Sequence, residues 1–158
     1  MEQRKKEQFC EVVQASRKKM YRVAYRILQN QEDAKDAVGE AIVKAYEKID
    51  LLRNEDRLEA WIMQIVLNVS KNMRIKRSRE VYGETEKILK QREVWDYHDE
   101  LWDIIEKMPP KYGDVLHLFY YEEYTMDEIS EILDVPVGTV KSRLNRGKER
   151  LKKLLKEI

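Results

Sequence analysis

Apolar residues recur every three to four positions along most of this chain, with charged residues between them, which is the pattern of amphipathic helices. Phe9, Val12, Val13, Met20, Val23, Ala24, Ile27 and Leu28 predict a long helix over 5–29, with Tyr21 and Tyr25 beside the stripe and a break at Asn30-Gln31. Ala34, Ala37 or Val38, Ala41 or Ile42, Ala45 and Ile49 predict a second helix over 31–49. The polar stretch 50–57 reads as a loop, with Asn54 and Arg57 as connector residues. Leu58, Trp61, Ile62, Ile65, Val66, Val69 and Met73 predict a third helix over 58–77 and place Trp61 in its buried stripe. The pattern then fades. Across 79–97 charge is dense and Gly83 interrupts, so this segment reads as a linker. A short helix with Leu101, Trp102, Ile104, Ile105 and Met108 inward ends at Pro109-Pro110, and a helix over 111–123 buries Val115, Leu116, Leu118 and Phe119. No strand-like alternation of useful length occurs. The expected fold is all-α, with two small helical domains, 5–78 and 98–158, joined by the linker 79–97.

The end of the chain carries the sharpest local signals. Thr125 and Glu128 have capping-box spacing, a hydroxyl followed three residues later by a carboxylate, which starts a helix bearing Ile129, Ile132 and Leu133 on one face. Asp134-Val135-Pro136 ends it, because proline disfavours the α region for the residue before it. Asp134 also tolerates the left-handed backbone a tight turn needs. A second helix follows, with Val140, Leu144, Leu151 and Leu155 as its expected buried stripe. At about 100° per residue, Gly138, Thr139, Ser142, Asn145 and Arg146 gather on the opposite side, flanked by Lys141 and Arg143, with Lys148 on the cationic outer face. The pair predicts a helix-turn-helix. Small residues let a helix approach base edges, amides and hydroxyls read hydrogen-bonding groups, and cations hold phosphates.

Charge changes the picture only locally. Asp, Glu, Lys and Arg make up 39% of the 158 residues but nearly cancel, at net +1, so DNA affinity has to come from patches. One such patch is Arg74, Lys76, Arg77 and Arg79, preceded by Asn68, Lys71 and Asn72. The first half of the second helix is acidic, with Glu32, Asp33, Asp36 and Glu40; the helix dipole accounts for Glu32 and Asp33. Asp36 and Glu40 stand equally as solvated residues or as a docking face. The single cysteine, Cys10, is expected near the apolar face of the first helix. His98 and His117 lack Cys or His partners at ligand spacing, so no metal is expected. No cofactor motif, catalytic constellation, secretory signal or membrane-length apolar run is present, which argues against an enzyme and for the cytoplasm.

Residues 136–144, Pro-Val-Gly-Thr-Val-Lys-Ser-Arg-Leu, resemble the −35-reading helix of bacterial sigma factors of the extracytoplasmic-function group. Met108-Pro109-Pro110-Lys111-Tyr112 with Val115-Leu116-His117-Leu118 is similar to that family's "L-P-x-x-x-R-x-V-L-x-L". Residues 31–42 resemble its "A-E-D-x-x-Q-E-x-F", with Gly39 in place of Gln and Ile42 in place of Phe. Residues 61–68 resemble "W-L-x-x-I-A-x-N"; beyond it, Asn72 replaces a frequent Asp and Ile75 a frequent Arg.

The resemblance implies core RNA polymerase as partner, through the clamp helices of its largest subunit and its flap. Asp33, Asp36 and Glu40 would make the clamp contact. It implies promoter DNA as the second partner. Asn68, Lys71, Asn72, Arg74 and Arg77 would read and melt the −10 element, and the loop 50–57 would capture a flipped base. Gly138, Thr139, Lys141, Ser142, Arg143, Asn145, Arg146 and Lys148 would read the −35 element. It also brings in an anti-sigma factor as a candidate inhibitor. The alternative reading is a stand-alone helix-turn-helix regulator that uses only residues 125–155 and binds as a dimer.

Overall fold

The computed structural model describes residues 3–80 and 100–157, all of whose regular elements are helical. The chain divides into two compact units, Met1–Glu93 and Val94–Ile158. The linker expected at 79–97 lies, from residue 81 on, outside the described residues, as does His98.

In the first unit α1 (Gln3–Leu28), α2 (Gln31–Lys48) and α3 (Leu58–Glu80) each pack against the other two. Gln29 adopts a left-handed backbone, φ 55°, at the end of α1. Asn30 then caps α2, its side-chain oxygen accepting the Asp33 N–H at 3.0 Å. The buried face of α2 is mostly alanine: Ala34, Ala37, Ala41 and Ala45 are fully hidden. Side chains this short let helix axes approach closely. Phe9, Met20, Val23, Ala24 and Ile27 from α1 and Ile62, Met63, Val66 and Leu67 from α3 complete the core. Phe9 meets Tyr46 edge-on at 5.7 Å, tying α1 to α2. Buried Ser16 donates to Glu59 at 2.9 Å, and Lys19 Nζ lies 3.7 Å from the same carboxylate, pinning α1 to the start of α3. Between α2 and α3 the chain makes two short 3₁₀ turns, Ile49–Leu51 and Glu55–Arg57, the second capped by Asn54, which accepts the Asp56 N–H at 3.1 Å.

Two expectations change here. The hidden arc of α3 takes in Ala60, Met63, Leu67 and Ser70, while Trp61, Ile65 and Met73 are only half-buried. A helix held by neighbours on two sides buries a wider arc than a one-sided stripe, and its centre lies away from Trp61. Cys10 is exposed, because the inward direction at this turn belongs to Phe9, about 100° away on the helix.

The second unit contains α4 (Glu100–Glu106), α5 (Pro110–Leu116), a π turn (His117–Tyr121), α6 (Met126–Leu133) and α7 (Val137–Lys156). The helix expected over 111–123 therefore widens after Leu116. The Glu122 N–H reaches the His117 carbonyl five residues back at 3.2 Å. The same turn brings His117 Nε2 to 2.8 Å from Glu122 Oε2, with both side chains closed off from solvent. Trp102 stands edge-on to the His117 ring at 4.9 Å, and Tyr121 stacks on it at 5.5 Å. His117 is therefore a core residue, held by a partner that α-helical spacing does not suggest.

The capping box forms as expected: Thr125 Oγ1 accepts the Glu128 N–H at 3.1 Å, and Glu128 Oε1 accepts the Thr125 N–H at 3.0 Å. Asp134 takes the left-handed conformation, φ 54° and ψ 50°. Val140, Leu144 and Gly147 of α7 are buried. A Cβ on Gly147 would lie 3.1 Å from Leu116 Cδ1, so this glycine sets how closely α7 and α5 approach. The expected stripe stops there. Leu151 is half-buried and Leu155 is 48% exposed, because no described element covers the last turns of α7.

Candidate nucleic-acid interface

On α7 the residues opposite the Val140–Leu144 side line an open groove of about 290 Å³, walled by Gly138, Thr139, Ser142, Arg143 and Arg146 together with Lys111 and Tyr112 from α5. Five of the eight residues assigned to base reading thus share one concavity. Lys141 and Asn145 are exposed beside it. Lys148 sits apart, its Nζ 5.7 Å from the centre of the Phe119 ring. Gly138 is open, with no atom within 4 Å of where a Cβ would lie, so the backbone at the start of α7 is accessible to a partner.

Lys111 and Tyr112 were absent from the sequence-derived set. Tyr112 is buried, yet its ring faces Lys111 Nζ at 5.0 Å and the Arg150 guanidinium at 4.8 Å. Burial pushes its phenol up, but the hydrogen bond from Arg146 and the charges of Lys111 and Arg150 outweigh this and leave its pKa below the ordinary tyrosine value. A tyrosine one residue from a lysine is a weak signal. Only the packing of α5 on α7 brings the three cations to it.

On the first unit, Glu40 and Lys44 of α2 and Val69, Asn72, Met73, Lys76 and Arg77 of α3 line a groove of about 410 Å³. Glu40 pairs with Lys44 at 3.3 Å one turn along α2. Asn68, Asn72 and Arg74 are exposed on α3, and Lys71 and Arg77 are half-buried. The groove therefore joins a residue assigned to polymerase docking, Glu40, to two assigned to DNA, Asn72 and Arg77. Lys44 and Lys76 join them; neither was in the assigned sets, although Lys76 lies in the basic run.

Asp33 is revised. Its side chain is only 12% exposed and its carboxylate binds the Arg77 guanidinium across the helix pair. Burial raises its pKa above the ordinary carboxylate value; Arg77 pulls it down, and Asp36 and Glu32 push it up again. Asp33 is an internal strut, not an outward docking group, and Arg77 is committed to it. Asp36 and Glu40 remain exposed on α2, in line with exposed Gly39, Val43 and Tyr46. Asn54 spends its side chain on the 3₁₀ cap, in keeping with a connector.

Two family descriptions match this chain in order: sigma-70 region 2 over residues 12–80 and sigma-70 region 4 over 98–151. The chain belongs to the sigma-70 family of RNA polymerase sigma factors. Within that family it is an extracytoplasmic-function sigma factor. The ECF RNA polymerase sigma factor SigW of Bacillus subtilis (strain 168) is 30% identical over 168 residues, which span 95% of this chain and 90% of that protein. The RNA polymerase sigma factor SigV of the same strain is 30% identical over 130 residues, 80% of this chain and 78% of that one. In structure, the chain resembles the sigma factor RpoE crystallised with the anti-sigma factor NepR from Bartonella quintana, with a TM-score of 0.71, 96% of each chain covered and 23% identity. In this sigma factor α1–α3 form region 2 and α4–α7 form region 4. Among the described residues, no helix is long and apolar enough to cross a membrane.

Proposed function

We propose that this sigma factor binds core RNA polymerase and gives it promoter specificity, with α7 read against the −35 element and α3 against the −10 element. The groove on α7 carries the reading. It combines accessible backbone at Gly138, hydroxyls at Thr139 and Ser142, and cations at Arg143 and Arg146 in one concavity. On α3, exposed Asn68, Asn72 and Arg74 are the proposed −10 contacts. Lys71 and Arg77 flank them, Arg77 by way of its strut to Asp33. The outward face of α2, with Asp36 and Glu40, is the proposed docking surface for the polymerase clamp helices, and region 4 the one for the flap. The protein performs no bond chemistry of its own; it works in the cytoplasm by positioning the polymerase and opening DNA. An anti-sigma factor is the proposed class of inhibitory partner.

The test is transcription of a fragmented genomic library by the purified protein with core polymerase, followed by sequencing of RNA 5′ ends. Start sites that share two upstream motifs at fixed spacing are expected. Folded protein that yields no dependent start sites, but binds a palindromic site alone, would overturn the proposal in favour of a stand-alone regulator.

A further inference from the structure

We infer that Tyr112 is a positioning residue for −35 recognition: from the wall of the α7 groove, its phenol holds Arg146 in the orientation that meets a base edge. The inference rests on the proposed role of α7.

An arginine on an exposed helix face swings among many rotamers, whereas a bidentate contact to a base edge needs one of them. Arg146 is exposed and has no carboxylate partner among its recorded contacts; its anchor is the Tyr112 hydroxyl, whose oxygen accepts from the guanidinium. That hydroxyl is itself fixed. Tyr112 sits in the first turn of α5, its N–H bonded to the Pro109 carbonyl at 2.9 Å and its side chain only 5% exposed. The ring then takes two more cations, Lys111 Nζ at 5.0 Å and Arg150 at 4.8 Å. Attraction to the ring and phenol offsets the mutual repulsion of these cations and keeps them gathered at one edge of the groove. A tyrosine serving only the core would not need its hydroxyl. Here the hydroxyl serves the groove that Tyr112 and Arg146 both line.

The experiment uses polymerase holoenzyme carrying this chain and duplex DNA that the wild-type holoenzyme selects from a randomised pool. Affinities for the selected −35 duplex, its single-base variants and a scrambled duplex are compared for wild type, Tyr112→Phe and Arg146→Ala. Arg146→Ala identifies the base position that Arg146 reads. Tyr112→Phe keeps the ring and drops the hydroxyl. It is expected to lower the preference at that same position by about three- to tenfold, the worth of one hydrogen bond. Binding to scrambled DNA and its salt dependence should stay as in wild type. A wild-type preference profile in Tyr112→Phe, or an equal loss on selected and scrambled DNA, overturns the inference. If Arg146→Ala leaves every base preference intact, the −35 role of Arg146 fails first and the inference fails with it. A second readout leaves the core untouched. In the free protein, Arg146→Ala should shift the ring resonances of Tyr112; unchanged resonances would show that the phenol does not hold that guanidinium.

Discussion

Helices α3 and α7 are both long and both carry clustered cations, but their neighbours treat them differently. α3 is held between α1 and α2, and its polar residues are partly drawn into the unit: Arg77 braces Asp33, and Glu59 ties down Ser16 and Lys19. The first turns of α7 lean on α5 and α6 along one side only, through Val140, Leu144 and Gly147. The opposite arc stays open and becomes the wall of a groove. A helix gripped on two sides shares its charges with its supports, whereas a helix gripped on one side presents them. In region 2, then, a charged residue on the right helix can be structural. In region 4, helical angle alone sorts core from interface.

The strongest way to break this comparison is to remove the support beneath α7. Glu122→Ala leaves His117 without its buried partner and should destabilise region 4 by about 3–5 kcal/mol. Urea unfolding followed by Trp102 fluorescence reads this, and a loss below 1 kcal/mol would mean that the pair is incidental to the frame.

Arg146→Ala comes next. It removes a cation from the open arc and should weaken binding to the cognate −35 duplex by about 1–3 kcal/mol while leaving the melting curve unchanged. An equal loss on scrambled DNA would make Arg146 a phosphate contact.

The Asp33–Arg77 pair tests the gripped helix, and the two halves should behave unequally. Arg77→Ala strands a buried carboxylate and should cost about 1–2 kcal/mol, moderated because Arg77 is partly exposed. Asp33→Asn should change stability at neutral pH by less than about 1 kcal/mol, because burial already outweighs the pull of Arg77 on the carboxylate. The direction of the shift sets the pH dependence. An aspartate with a pKa raised on folding binds protons more readily in the folded state. Its contribution is therefore largest below its ordinary value of 3.8 and is lost as pH rises through the folded-state pKa. Asp33→Asn should remove that decline from the stability profile. A profile identical to wild type would place the titration elsewhere.

The smallest effect concerns Gly39, which has open space around it on the outward face of α2. Gly39→Ala should raise the stability of the free protein by about 0.5–1 kcal/mol, since nothing clashes and the unfolded chain loses freedom. Thermal melting checks it, and a loss of stability would indicate a packing demand at that position. In Gly147 the same atom would press on Leu116, so the two glycines differ by environment and not by helix propensity.

Much of the fold could be read along the chain because its causes are local. Thr125 and Glu128 meet across one turn, Asp134 needs only its own backbone to turn, and the periodicities of α1, α2 and α7 act within a few residues. The open arc of α7 was legible for the same reason. Leu155 misled because periodicity reports which way a side chain faces, not whether a neighbour reaches it. Tyr112 was missed because its role exists only where α5 crosses α7.

The sequence by itself determined an all-helical chain of two domains, the helix-turn-helix and the face that it turns outward. Tertiary structure alone decided that Asp33 would meet Arg77, 44 residues away, that a π turn would bring His117 onto Glu122, and that Tyr112 would sit under Arg146. Caps and periodicity depend on backbone geometry shared by all helices. Pairing between distant side chains depends on where the helices settle once their apolar faces are buried.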